Sequence, residues 1–282
     1  MLTIFRHTFT RFRGQIIGWG LALLLLGLYL ISFFDTFMAQ QEQFLQIAES
    51  FPPAMSAFFG DLSTMATPEG YLSVEYFSLM PLILGIFAVL GGSGLLASDE
   101  ESGRLDLVLA HPVSRTALFA GRLLGFVAAT LSILVIAWLG LAVPAGGTSI
   151  NLGWGELLLP FLSLMAVLLL FGVLALLLSM VLPSRRLAAM TAGLLLVASY
   201  FVTSLARLDE GLEALAAFSP LRYYQSGEAI RGLNLAWLSA LLAVALLLTL
   251  LAWWRFTRRD IRVGGEGSMS LRRVRPAVRG IQ

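Results

Sequence analysis

The chain reads as an all-α membrane protein with six transmembrane helices, and three observations lead there. Hydrophobic residues make up 58% of the 282 residues and charged ones only 13%, about half the charged share of a soluble domain. The mean hydropathy is +0.84. The charges gather into short tracts between long, nearly charge-free runs at residues 16–34, 71–97, 118–143, 157–182, 187–205 and 235–254. Each run is close to the ~20 apolar residues that cross about 30 Å of hydrocarbon as a helix. No polar stretch is long enough for a large soluble domain, so residues 16–254 form one transmembrane domain.

Before the first span, residues 1–15 (MLTIFRHTFTRFRGQ) place Leu2, Phe5, Phe9 and Phe12 at helical spacing, with Arg6 and Arg13 elsewhere on the wheel. That pattern predicts a helix lying in the membrane interface; a disordered basic start is the alternative. The first span is too long for a signal-peptide core and is followed by SFFDTFMAQQ, which has no small-x-small cleavage pattern. It is therefore read as retained.

Loop 35–70 carries Phe37, Phe44, Leu45 and Ala48 at roughly helical spacing, which predicts a partly helical cap. It acts either as a substrate lid or as packing that closes the bundle mouth or supports a dimer. The second span holds Pro81 and the cluster Gly91-Gly92-Ser93-Gly94. These make either a broken helix or close packing through small residues with a proline kink. Spans four and five are separated only by PSRR at 183–186, where proline and paired arginines end a helix and resist burial. Loop 206–234 sets Leu212, Leu215 and Ala216 on one face and brings Tyr223-Tyr224 near the interface, where aromatic belts form. Residues 255–282 are a basic tail suited to anionic headgroups. No internal repeat is evident.

Orientation follows from the arginines, which account for all 19 basic residues. With the N-terminus inside, 16 lie in cytoplasmic tracts and only Arg207, Arg222 and Arg231 lie outside. The positive-inside rule then places both termini in the cytoplasm of a multi-pass inner (plasma) membrane protein.

Several function classes are disfavoured. There is no cysteine, and the only histidines, His7 and His111, are far apart, so no metal-ligand pattern is present. Neither G-x-S-x-G nor H-E-x-x-H occurs, and no catalytic, cofactor-binding or nucleic-acid-binding residues are assigned. A Walker A loop needs a lysine at the phosphates, and this chain contains none. ATP and Mg, if they drive it, belong to a separate ATPase chain. The spans also lack an ionisable group well inside their limits, the feature a secondary transporter uses.

The tract SDEESGRLDLVLAHPVSRTALFAGRLLG (98–125) is longer than a turn requires. Glu100 and Glu101 precede Arg104 by four and three residues, spacings at which helix neighbours meet. Leu105, Val108 and Leu109 share one face, while Leu107 points elsewhere. His111-Pro112 stops the helix, and Ser114 then offers an N-cap to the next span, with Arg115 and Arg122 at the interface. A short amphipathic helix over about 99–111 is therefore expected. It is either an interfacial connector or a docking element whose Leu107 fills a pocket on a partner.

EGYL (69–72), ESGRLDLVLAHPVSRTALFAGR (101–122) and FSPLRYYQSGEAI (218–230) together resemble the permease subunits of ABC-2-type ABC transporters, across essentially the whole chain. Glu101, Gly103, Leu105, Leu107, Leu109, Pro112, Ser114 and Arg115 match the family's pattern after span two. Ser219, Pro220, Tyr223 and Tyr224 match its pattern before the last span. Arg104 stands where a small residue or threonine is common. The resemblance implies that the first stretch, Glu100 and Arg104 included, is a coupling helix seated on an ABC ATPase subunit. It further implies that two permeases, identical or different, pair around a transport path, most simply in an exporter. Ser199, Tyr200, Thr203 and Ser204 are candidates for lining that path, or for helix–helix hydrogen bonds instead. A non-transporting scaffold or sensor partner and a secondary transporter are the alternative functions.

Overall fold

The computed structural model describes residues 1–48, 50–103 and 113–258. Among them the regular structure is entirely helical. Six helices are long and apolar enough to cross a membrane: Arg13–Met38, Pro68–Gly94, Arg115–Ala145, Trp154–Val181, Arg185–Leu205 and Leu235–Arg258. Four cover their expected runs, the first and last by about a turn beyond them, since backbone hydrogen bonding continues into the headgroup region after the apolar side chains stop. The second ends at Gly94, three residues short of its run, and the fourth at Val181, one residue short.

Spans two, three and four form the centre, with the fourth the most enclosed (67% of its apolar window buried). Only 17% of the corresponding window of span six is buried. The leucines that span six exposes, Leu246, Leu247 and Leu250 among them, suit hydrocarbon rather than water.

Two glycine contacts set the bundle. Spans two and four approach so closely at Gly92 that a Cβ there would meet the carbonyl of Gly172. Spans one and three meet at Gly27 and Gly140, where a Cβ on Gly27 would come within 2.9 Å of the Gly140 backbone. Without a hydrophobic force between helices in lipid, such small residues let backbones approach and gain dispersion energy. The small-residue cluster in span two is thus used for close packing. The irregularity of this span lies instead at the π-helical turn Ser73–Phe77 and at Ser78-Leu79, just before the helix that carries Pro81 near its start.

The N-terminal helix, Leu2–Arg11, lies along the start of span three, with Ile4 against Gly121 and Thr8 against Gly125. Phe12 joins it to span one and packs on Phe87 at 5.9 Å and Phe126 at 6.1 Å. Tyr71 and Tyr76 of span two donate to the Leu30 and Leu23 carbonyls of span one at 3.2 and 3.3 Å. Buried phenols in lipid need such acceptors.

Loop one is partly helical, with helices Gln41–Ala48 and Pro53–Phe59. Phe44 packs back on Phe37 at 5.2 Å, so its apolar face covers the end of span one. The last loop is a chain of short helical turns, including Glu213–Ala216, Pro220–Tyr223 and Gly227–Arg231. It is fastened to span four where the Gln225 backbone N–H donates to the Ser163 hydroxyl at 2.8 Å.

Candidate functional site

Two regions concentrate polar side chains, one at each end of the bundle. At the end that holds the N-terminal helix and the final turn of span six, a short helix Ala97–Glu101 follows span two and holds three acids. Asp99 is almost wholly buried and ion-pairs with the equally buried Arg122 of span three. Its other oxygen accepts from Arg11 of the N-terminal helix at 3.2 Å. Arg122 also donates to the Leu95 carbonyl at 3.0 Å. Burying one charge alone would be costly, whereas this carboxylate and guanidinium offset one another's desolvation.

Glu101 accepts from the backbone N–H of Arg185 at 2.8 Å. This is the first residue of span five, where helical N–H groups lack intrahelical partners. Ser184 caps the same helix from within, accepting from the Leu187 N–H at 3.3 Å. One turn of acidic chain thus contacts the N-terminal helix, span three and span five.

Of the residues expected to couple to an ATPase, Arg104, Leu105, Leu107, Leu109 and Pro112 lie outside the described residues, as does most of the expected 99–111 helix. The described ones bracket that segment. Glu100 is buried and Gly103 adopts φ +68°, a left-handed conformation that glycine takes without steric cost. Ser114 caps span three as its sequence suggests, accepting from the Ala117 N–H at 3.1 Å. Arg115 donates to the Phe256 and Thr257 carbonyls at 3.5 and 3.4 Å, placing a cation where the final turns of span six expose their C=O groups.

Arg122, expected near the interface, is shielded by the protein and only 4% exposed. The reason is Asp99, which sequence reasoning passed over in favour of Glu100 and Glu101. The available signal was an acid just past one apolar run facing an arginine early in the next.

At the opposite end a cavity of about 870 Å³ opens between loop one, the upper part of span two, the end of span five and the last loop. Tyr200, Thr203 and Ser204 line it, together with Ser73, Ser78 and Tyr224. Ser199 does not. It is buried, and its Oγ lies 2.5 Å from Ser219 Oγ, which is also 2.7 Å from Thr203 Oγ1. That cluster holds Ser219 and Pro220 against span five. Tyr200 donates to the Phe58 carbonyl at 2.5 Å and Tyr224 to the Phe77 carbonyl at 3.0 Å. Burial pushes the Tyr224 phenol well above its ordinary pKa, so it stays a neutral donor.

No curated protein matches the chain in a sequence comparison. The family model described as "ABC-2 family transporter protein" matches residues 2–261, from the N-terminal helix through the last span. With six spans and that match over nearly its whole length, the chain belongs to the ABC-2 family of transporter proteins, as a membrane subunit.

Proposed function

We propose that this protein is the permease subunit of an ATP-driven exporter, drawing its energy from a separate ABC ATPase that docks on residues 104–112. Family membership supplies the reading. The observation that carries it is the contact of Ala97–Glu101 with the N-terminal helix and spans three and five. A displacement of the adjoining segment would reach three helices at once, which a simple interfacial connector does not need. The arginine distribution supports a cytoplasmic location for that end, where ATP is available. Two copies, or this chain and a related one, would enclose the path.

The test is co-purification from membranes. Wild-type protein is expected to bring down an ABC ATPase whose hydrolysis rate depends on this chain. Leu107→Asp combined with Glu101→Arg is expected to release it while the chain remains inserted. Undiminished, fully coupled ATPase binding by that double variant would refute the assignment, and a non-ATPase partner would favour the scaffold reading.

A further inference from the structure

The cavity at the loop-one end of the bundle has a lining whose chemistry selects a ligand. Its 870 Å³ falls in the roughly 300–1,000 Å³ range of small-molecule sites. Most of its hydroxyls are already committed as donors. Thr64 donates to the Asp61 carbonyl at 2.6 Å, Thr67 to Thr64 at 2.9 Å and Ser78 to Val74 at 2.6 Å. Tyr200 and Tyr224 donate to Phe58 and Phe77, as described above. A hydroxyl has one proton and two lone pairs, so each of these five offers a ligand only an acceptor.

Of the two arginines in the wall, only Arg231 has a carboxylate partner; Arg207 bonds a neutral carbonyl and keeps its charge, so the lining carries three carboxylates against two guanidiniums. Arg207 donates to the Ala57 carbonyl at 3.4 Å, and Arg231 lies 3.6 Å from Glu69. Of the three lining carboxylates, Asp61 and Glu228 have no cation in a salt bridge with them among the described residues. Phe58 and Tyr200, with ring centroids 6.1 Å apart, both line the cavity, and aromatic rings attract cations. Pro81 and Leu221 supply apolar surface at the wall.

We propose that this cavity binds an amphipathic primary amine. Its ammonium N–H groups meet the acceptor-rich wall and the carboxylates of Asp61 and Glu228, and its apolar body lies against Phe58, Pro81 and Leu221. The inference deepens the transport reading by naming a ligand class, and it rests on that reading only in taking the bound amine as cargo.

The experiment uses the purified full-length chain in nanodiscs of zwitterionic lipid, with no ATPase, and radiolabelled dodecylamine in a proximity assay. Saturable binding above that of empty nanodiscs is expected. Dodecyltrimethylammonium, which lacks N–H donors, should compete about tenfold less well, the equivalent of one charge-assisted hydrogen bond. Dodecyl sulfate should not compete. Asp61→Asn with Glu228→Gln should weaken binding by about tenfold or more. Asparagine can still cap the turn that Asp61 begins, so folding should survive. Ser56→Trp, which fills the cavity from the Pro53–Phe59 helix, should abolish the saturable component without changing the melting profile. Binding no greater than to empty nanodiscs, equal binding by these variants, or displacement by dodecyl sulfate as strong as by the amine would overturn the proposal. Amine binding by a chain that couples to no ATPase would leave the cavity site standing and remove the transport reading. A coupled ATPase without saturable amine binding would do the reverse.

Discussion

Asp99 accepts from arginines on two different helices, and it does so in a place where water cannot compensate for a missing partner. Removing one member of a buried ion pair typically costs about 3–5 kcal/mol, because the other is left charged and uncompensated. Asp99→Asn is therefore expected to lower the melting temperature of the purified protein sharply. Asp99→Leu with Arg122→Leu should recover much of that loss, since apolar replacement of both partners removes the desolvation cost. A double variant less stable than either single one, measured by thermal unfolding in detergent, would contradict this account of the pair. Arg122 shows where sequence reading stopped at this scale. An arginine near a span end defaults to the interface, and only the fold brings the second partner, 23 positions away, to meet it. Ser114 is the contrasting case, because a cap depends on residues three apart in sequence and was legible there.

At the scale of elements, the helices were legible because their cause is local: a run of apolar side chains long enough to cross hydrocarbon. Their pairing was not, since nothing within span two marks Gly172 as the partner of Gly92. At that crossing a side chain has no room. Gly92→Leu is expected to prevent spans two and four from seating, with loss of the monodisperse species on gel filtration. Gly92→Ala should cost about 1–3 kcal/mol in the same thermal assay, the usual range for overpacking. Gly193→Ala in span five, where an added Cβ meets nothing within 4 Å, should stay within about 1 kcal/mol of wild type. Equal behaviour of Gly92→Ala and Gly193→Ala would show that the crossing is looser than described. The cap on loop one was readable from Phe37 and Phe44, whereas the cavity beneath it needs four separated segments. That is why three of the four span-five candidates line it while Ser199 serves packing.

Over the whole molecule, the two ends differ in kind. One holds both helical termini of the described chain and the Asp99–Arg122–Arg11 network; the other holds the capped cavity. The positive-inside rule predicts that the first faces the cytoplasm, and a chain without cysteine lets this be tested with single introduced thiols. On intact cells a membrane-impermeant maleimide is expected to label Gln43→Cys, which is exposed on the loop-one helix. Thr3→Cys, exposed on the N-terminal helix, should label only after lysis. The opposite pattern would invert the protein and remove the ATPase from its proposed docking side.

The most direct measurement places a photo-reactive amino acid at Leu107, and separately at Phe59, in membranes containing the native complement of proteins. Illumination should join the Leu107 probe, and not the Phe59 probe, to an ABC ATPase subunit, with adduct yield changing on addition of ATP. An ATPase adduct from Phe59, or none from Leu107 while the chain remains functional, would contradict the account of a permease driven from its arginine-rich end.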